Sequence, residues 1–202
     1  MDGVLYKIVV RIYDVVALGF FWLFFSIPLF TIGASTTALF FVTMRILSNQ
    51  EGYLWQDFWT AFKSNFREAT LTWIMLAAIG LLFYLNINNI GGINNPTLQV
   101  LILSIQIPFC IELALITIYI FPIYARFDVK FTSAMKSAFY MANRHILTSI
   151  PCAFIAMMVI LIVYLDPFYF WMAMGIYAYF SSFLFLRLFR KYYPNAVIIF
   201  NK

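Results

Sequence analysis

The sequence predicts an all-α, polytopic transmembrane helical bundle of about five to six spans, with two amphipathic helices on its cytoplasmic side. Three observations lead there. Of 202 residues, 64% are hydrophobic and only 10% charged, with a mean hydropathy of +0.91, whereas soluble domains carry about 25% charged residues. So much apolar surface needs lipid as its solvent. The apolar residues also fall into runs of about 20, the length that crosses a bilayer. Finally, the net charge of +5 is segregated along the chain. Basic residues cluster at Lys7 and Arg11, at Arg45, Lys63 and Arg67, at 126–144 and at 187–202, while 88–97 and 166–168 hold no Lys or Arg. This is the positive-inside pattern, which places both termini in the cytoplasm and the two bare stretches outside. It accounts for the charge with no nucleic acid as partner. The length suits a single integral membrane domain over 1–202.

The elements follow in order. Residues 15–32 form a first apolar run. No A-x-A cleavage pattern follows it, so it is expected to be a retained span. Beyond Pro28, the run Gly33-Ala34-Ser35 reads as a turn and helix start, and 34–47 as a return toward the cytoplasm. That return is short, either a tightly packed sixth helix or a re-entrant arm. The charge rule favours a full crossing, since Arg45, Lys63 and Arg67 would otherwise lie outside. Residues 69–87 make a span of roughly 28 Å of helix. The stretch 88–96 is an outside turn, rich in Asn and Gly that tolerate positive φ, and closed by Pro96. Residues 98–124 form the longest span and contain Pro108 and Pro122, where kinks are expected. Residues 146–165 go out, Asp166-Pro167 turns, and 168–186 come back. Tyr164, Tyr169, Trp171, Tyr192 and Tyr193 sit where an aromatic belt belongs.

Two inside segments are neither spans nor loops. Over 57–68, Asp57, Thr60, Lys63, Ser64, Arg67 and Glu68 recur on one helical face, with Phe58, Phe62, Phe66 and Ala69 on the other. Over 131–144, Phe131, Met135, Ala138, Phe139 and Ala142 oppose Lys136 and Ser137. Both read as amphipathic helices at the membrane surface. FWTAFKSNFREA (58–69) and FTSAMKSAFYMA (131–142) also share Phe, Ala, Lys-Ser, Phe and Ala in one register. Convergence explains this, and so does an internal duplication of parallel topology. Phe58, Lys63, Phe66, Phe131, Lys136 and Phe139 are the candidate cytoplasmic docking residues. Small residues at Ala77, Ala78 and Gly80, and at Ala173 and Gly175, let helices approach closely, as internal seams or as faces for a partner.

Glu112 is the one acidic residue deep within a span. A charge there is costly, so the side chain is expected to face protein. Gln106 lies nearly two turns away on a broadly similar side. The pair is a candidate intramembrane polar or partner-contact site, read as a proton or substrate site or as an interhelical hydrogen bond. Asp14 is expected to pair locally with Arg11, and His145, the only histidine, to anchor at the interface. Cys110 and Cys152, both in apolar runs, read as packing thiols. No catalytic, cofactor or metal site is indicated. The chain has no Gly-rich phosphate loop, no H-E-x-x-H, no nucleophile elbow and no Cys-x-x-Cys.

The stretches PLFTIGASTTAL (28–39), FKSNFREA (62–69) and YIFPIYARFD (119–128), with AMKSAF (134–139) and RKYYP (190–194), together resemble the YesL family of bacterial integral membrane proteins. The family's molecular function is undefined, and it has no established catalytic residues to carry over. The resemblance implies a bacterial cell-membrane protein associated with carbohydrate ABC importers. The expected function is that of an accessory subunit, with the importer's permeases and membrane lipid as partners. The alternatives are an independent small transporter with a site between repeated halves near Glu112, and a membrane enzyme or sensor.

Overall fold

The computed structural model describes residues 2–50, 52–92 and 95–192. Among them are seven α-helices and no strand: α1 (Asp2–Ser26), α2 (Ile32–Leu47), α3 (Leu54–Asn89), α4 (Pro96–Arg126), α5 (Phe131–Arg144), α6 (Ile146–Leu165) and α7 (Phe170–Tyr192). Six helical stretches, in all of these but α5, are long and apolar enough to cross a membrane. The protein is an all-α polytopic membrane bundle.

α2 is its central element. The small residues Gly33, Ala34, Ser35 and Ala38 at its start are buried, letting the flanking backbones come close. α2 packs antiparallel to α3: Gly33 lies against Ala69, and Arg45 forms an ion pair with Asp57 twelve residues earlier in α3. α1 and α7 flank it. Trp22 Nε1 donates to Thr36 Oγ1 at 3.0 Å, and Thr43 and Ser182 share a hydrogen bond of 2.9 Å. The return after the first run is a tightly packed helix of 16 residues.

The turn preceding it falls earlier than Gly33-Ala34-Ser35. α1 ends at Ser26, six residues before the expected limit, because Pro28 follows and cannot supply a helical N–H. A 3-10 turn spans Leu29–Thr31, and Thr31 Oγ1 sits 2.5 Å from the Phe25 carbonyl and 2.6 Å from that of Pro28. Gly33 lies inside α2, where a Cβ would overlap the Ala69 carbonyl. The tip of the α1–α2 hairpin stands beside the middle of α3, since Trp73 Nε1 donates to the Leu29 carbonyl at 3.0 Å. α3 then continues for 16 residues, roughly 24 Å.

The segment 57–68 is not a separate surface helix. It is the first third of α3, 36 residues of unbroken helix that includes the 69–87 span. No glycine or proline lies between residues 53 and 79, and Ser64 and Asn65 bond back to the Ala61 carbonyl inside the helix, so nothing ends it there. The turn after α3 is a 3-10 turn over Ile90–Gly92, and no described glycine has positive φ. The positive φ belongs to Asn49, at 52°. Asn95 caps α4 by accepting from Thr97 N at 3.0 Å and Leu98 N at 3.4 Å, with Pro96 at the first turn. α4 continues through both Pro108 and Pro122.

α5 matches its predicted limits and folds back along α4, burying Ala134, Ala138, Met141 and Ala142. His145, between α5 and α6, accepts at its carbonyl from Thr148 and Ser149. Tyr119 joins α4 to α6 through 2.9 Å hydrogen bonds with Thr148 and Ser149. Tyr164 and Tyr169 are exposed at the α6–α7 turn, and Trp171 packs edge-on against Phe20. Tyr193 and the end of the RKYYP stretch lie outside the described residues.

Candidate functional site

Gln106 and Glu112 are not brought together. Six residues at about 100° each leave them some 120° apart around α4, so they meet different helices. Gln106 is 5% exposed and donates from Nε2 to the Phe83 carbonyl of α3 at 2.7 Å. Glu112, half-buried, accepts from Asn143 Nδ2 of α5 at 2.8 Å. Each tethers a neighbouring helix to α4. Arg11 turns to the end of α2, donating to the Ile46 carbonyl at 2.9 Å and to Asn49 Oδ1 at 3.0 Å. It caps a helix C-terminus, where cations are favoured, and makes no hydrogen bond with Asp14.

The candidate docking residues divide. Phe58 is fully buried, packed against Phe21 and Phe25 of α1, and belongs to the core. The one-face reading missed it because α1 covers this part of α3. Lys63 lies over the Trp59 ring, 4.5 Å from its centroid. Trp55 and Trp59 stack with an interplanar angle of 9°, and Trp59 stacks on Phe62 at 8°. Phe66, 38% exposed, meets Phe62 edge-on and extends this ladder. On α5, Phe131 is half-buried, and Lys136 and Phe139 are exposed.

In their common register the two segments turn the same positions inward: Ala61 with Ala134 and Ala69 with Ala142 are buried. The same holds outward: Lys63 with Lys136, Phe66 with Phe139, and Arg67 with Tyr140 are exposed. Each segment also follows a helix with an arginine in its last turn, Arg45 or Arg126.

A second feature lies in the membrane part. A cavity of about 640 Å³ opens between α1, α2, α4, α6 and α7, with Trp73 of α3 at its edge. Its walls are Leu23, Ile32, Phe40, Ile118, Phe121, Val159, Phe170 and Met174, among others, and no charged residue lines it among the described residues. Its polar groups are Ser26, Thr36, Thr117, Tyr177 and the tryptophan N–H groups. Ser26 Oγ is buried without a hydrogen-bond partner. The sequence held one signal for this site, a serine four residues after Trp22 at the end of an apolar run. Cys152 is buried, Cys110 is half-buried, and both are free thiols. No cluster of His, Cys, Asp or Glu suited to a metal ion occurs among the described residues.

Residues 15–87 match a family model described as "Protein of unknown function, DUF624". "Uncharacterized protein YesL" of Bacillus subtilis (strain 168) is 23% identical over 129 residues, 62% of this chain and 60% of that protein. The match thus spans less than two thirds of the relative's length. No solved structure matches the chain. Nothing in the family description or in the bundle points to catalysis. The motifs at 28–39 and 62–69 fall within the residues matched by the family model, and the chain is distantly similar to YesL.

Proposed function

We propose that the protein is a non-enzymatic accessory subunit of the bacterial cell membrane, docking from within the bilayer and its cytoplasmic edge onto the permeases of a carbohydrate ABC importer. It stabilises that importer or modulates its transport. The observation that carries the docking role is the pair of matching outward faces, Lys63-Phe66-Arg67 on α3 and Lys136-Phe139-Tyr140 on α5. Exposed Phe66, Phe139, Tyr140 and Arg67 are of the residue types enriched at protein–protein interfaces. The importer as partner comes from the family resemblance. Independent transport near Glu112 draws less support, because that carboxylate is bonded to Asn143 and is not among the cavity-lining residues.

The test is purification of tagged chain from its native membrane in mild detergent, with co-purifying proteins quantified. Recovery of two importer permeases in near-equal amounts is the expected result. Lys136→Glu with Phe139→Ala should abolish it while leaving the chain folded, since both side chains are exposed. Recovery of the chain alone, under conditions that keep the importer intact, would refute the proposal.

A further inference from the structure

We infer that the cavity between α1, α2, α4, α6 and α7 is a binding site for one acyl chain of a bilayer glycerolipid, its ester carbonyl held by the hydroxyls of Ser26 and Thr36. This stands independently of the docking proposal. The volume, about 640 Å³, lies in the range of about 300–1,000 Å³ common to small-molecule sites. The rim residues Leu29 and Ile160 are 74% and 69% exposed, on segments apolar enough to lie in a membrane. The mouth therefore opens on hydrocarbon, and what enters it is an alkyl chain. A hollow of this size left empty would deprive its walls of dispersion contacts, so filling it with methylene groups is favourable.

The polar pole selects which part of the lipid is held. Ser26 is 7% exposed, and its hydroxyl has no partner, a costly state for a buried donor. Thr36 Oγ1 already accepts the Trp22 N–H at 3.0 Å, which leaves its own hydrogen to donate. Trp22 and Ser26 are four residues apart on α1 and share one face, so both hydroxyls belong to the same wall. Two O–H donors lacking an acceptor complement a carbonyl oxygen. Among the described residues none that is charged lines the cavity to match a phosphate or an ammonium. Recognition is thus of chain and ester, with the headgroup left in the bilayer.

The test reconstitutes the full chain in nanodiscs of phosphatidylglycerol containing a trace of phosphatidylcholine with a photoactivatable diazirine on one acyl chain. The discs are exchanged into unlabelled lipid for increasing times, then irradiated, and the residues that carry covalent label are mapped by mass spectrometry. Label on Phe121, Val159 and Met174 should outlast label on Phe109 and Ile111, which are exposed on α4 away from the cavity. Ala156→Trp, which fills the cavity, should remove the wall label and leave that on Phe109. Ser26→Ala should weaken wall labelling about three- to tenfold, the loss of one hydrogen bond. Wall label that exchanges as fast as label on Phe109 means annular lipid only and overturns the inference. Wild-type labelling in Ser26→Ala also overturns it, including where Ala156→Trp does not fold.

Discussion

At Gly33 and Gly175 a neighbouring helix lies so close that an added methyl group would overlap a backbone carbonyl, of Ala69 in one case and Val15 in the other. At Gly80 a Cβ would meet nothing within 4 Å. Alanine at Gly33 or Gly175 should therefore destabilise the protein by about 1–3 kcal/mol, the cost of overpacking. At Gly80 it should be neutral, or stabilising by up to about 1 kcal/mol through helix propensity. Thermal unfolding of the three variants in one detergent checks this, and equal melting shifts would contradict it. The Arg45–Asp57 pair offers a second contrast, its side chains being 20% and 15% exposed. Asp57→Asn strips the charge from a mostly buried partner and should cost about 1–3 kcal/mol. Arg45→Met with Asp57→Leu should cost less than the sum of the two single changes, since neither charge is then left unpaired. Additive losses in that cycle would mean that the two side chains act separately.

Among the elements, α3 and α5 depart furthest from what hydropathy alone describes. Amphipathic patterning identified both polar faces. It could not say that the first of them would run straight into a span. Spin labels at positions 56 and 84, both exposed on α3, should lie about 42 Å apart with a narrow distribution, from 28 residues at 1.5 Å each. The labelled chain needs Cys110 and Cys152 replaced. A separate surface helix would bend the chain between the labels, giving a shorter and broader distance. The α5 seam gives a complementary expectation. Ala138 is fully buried, so Ala138→Leu should loosen α5 by about 1–3 kcal/mol. Lys136→Glu on the opposite face should leave stability within about 0.5 kcal/mol. Comparable losses at both positions, read from detergent melts, would place α5 away from α4.

For the molecule as a whole, the segregation of basic residues predicts a single orientation in the membrane. A lone cysteine at Gly91 should react with an impermeant maleimide from outside intact cells, and one at Lys130 only after the membrane is opened. Reaction of the Lys130 position alone from outside would reverse the proposed topology, and reaction of both would break it. Span number, the α5 and α6 boundaries, and the YesL-like motifs could all be read from the linear chain. Lipid imposes its demand on each run of about 20 residues separately, so hydropathy reports it without knowledge of neighbours. Side-chain partners depend on contacts between residues far apart in sequence. Thus Ala173 and Gly175 proved to be a seam, while Ala77, Ala78 and Gly80 stayed off the core. Phe58 went into the core, Gln106 and Glu112 parted company, and Ser26 came to face a cavity walled by five helices. Helix pairing sets each of these outcomes, because in a bilayer apolar residues face lipid as readily as protein, and close packing alone distinguishes the two.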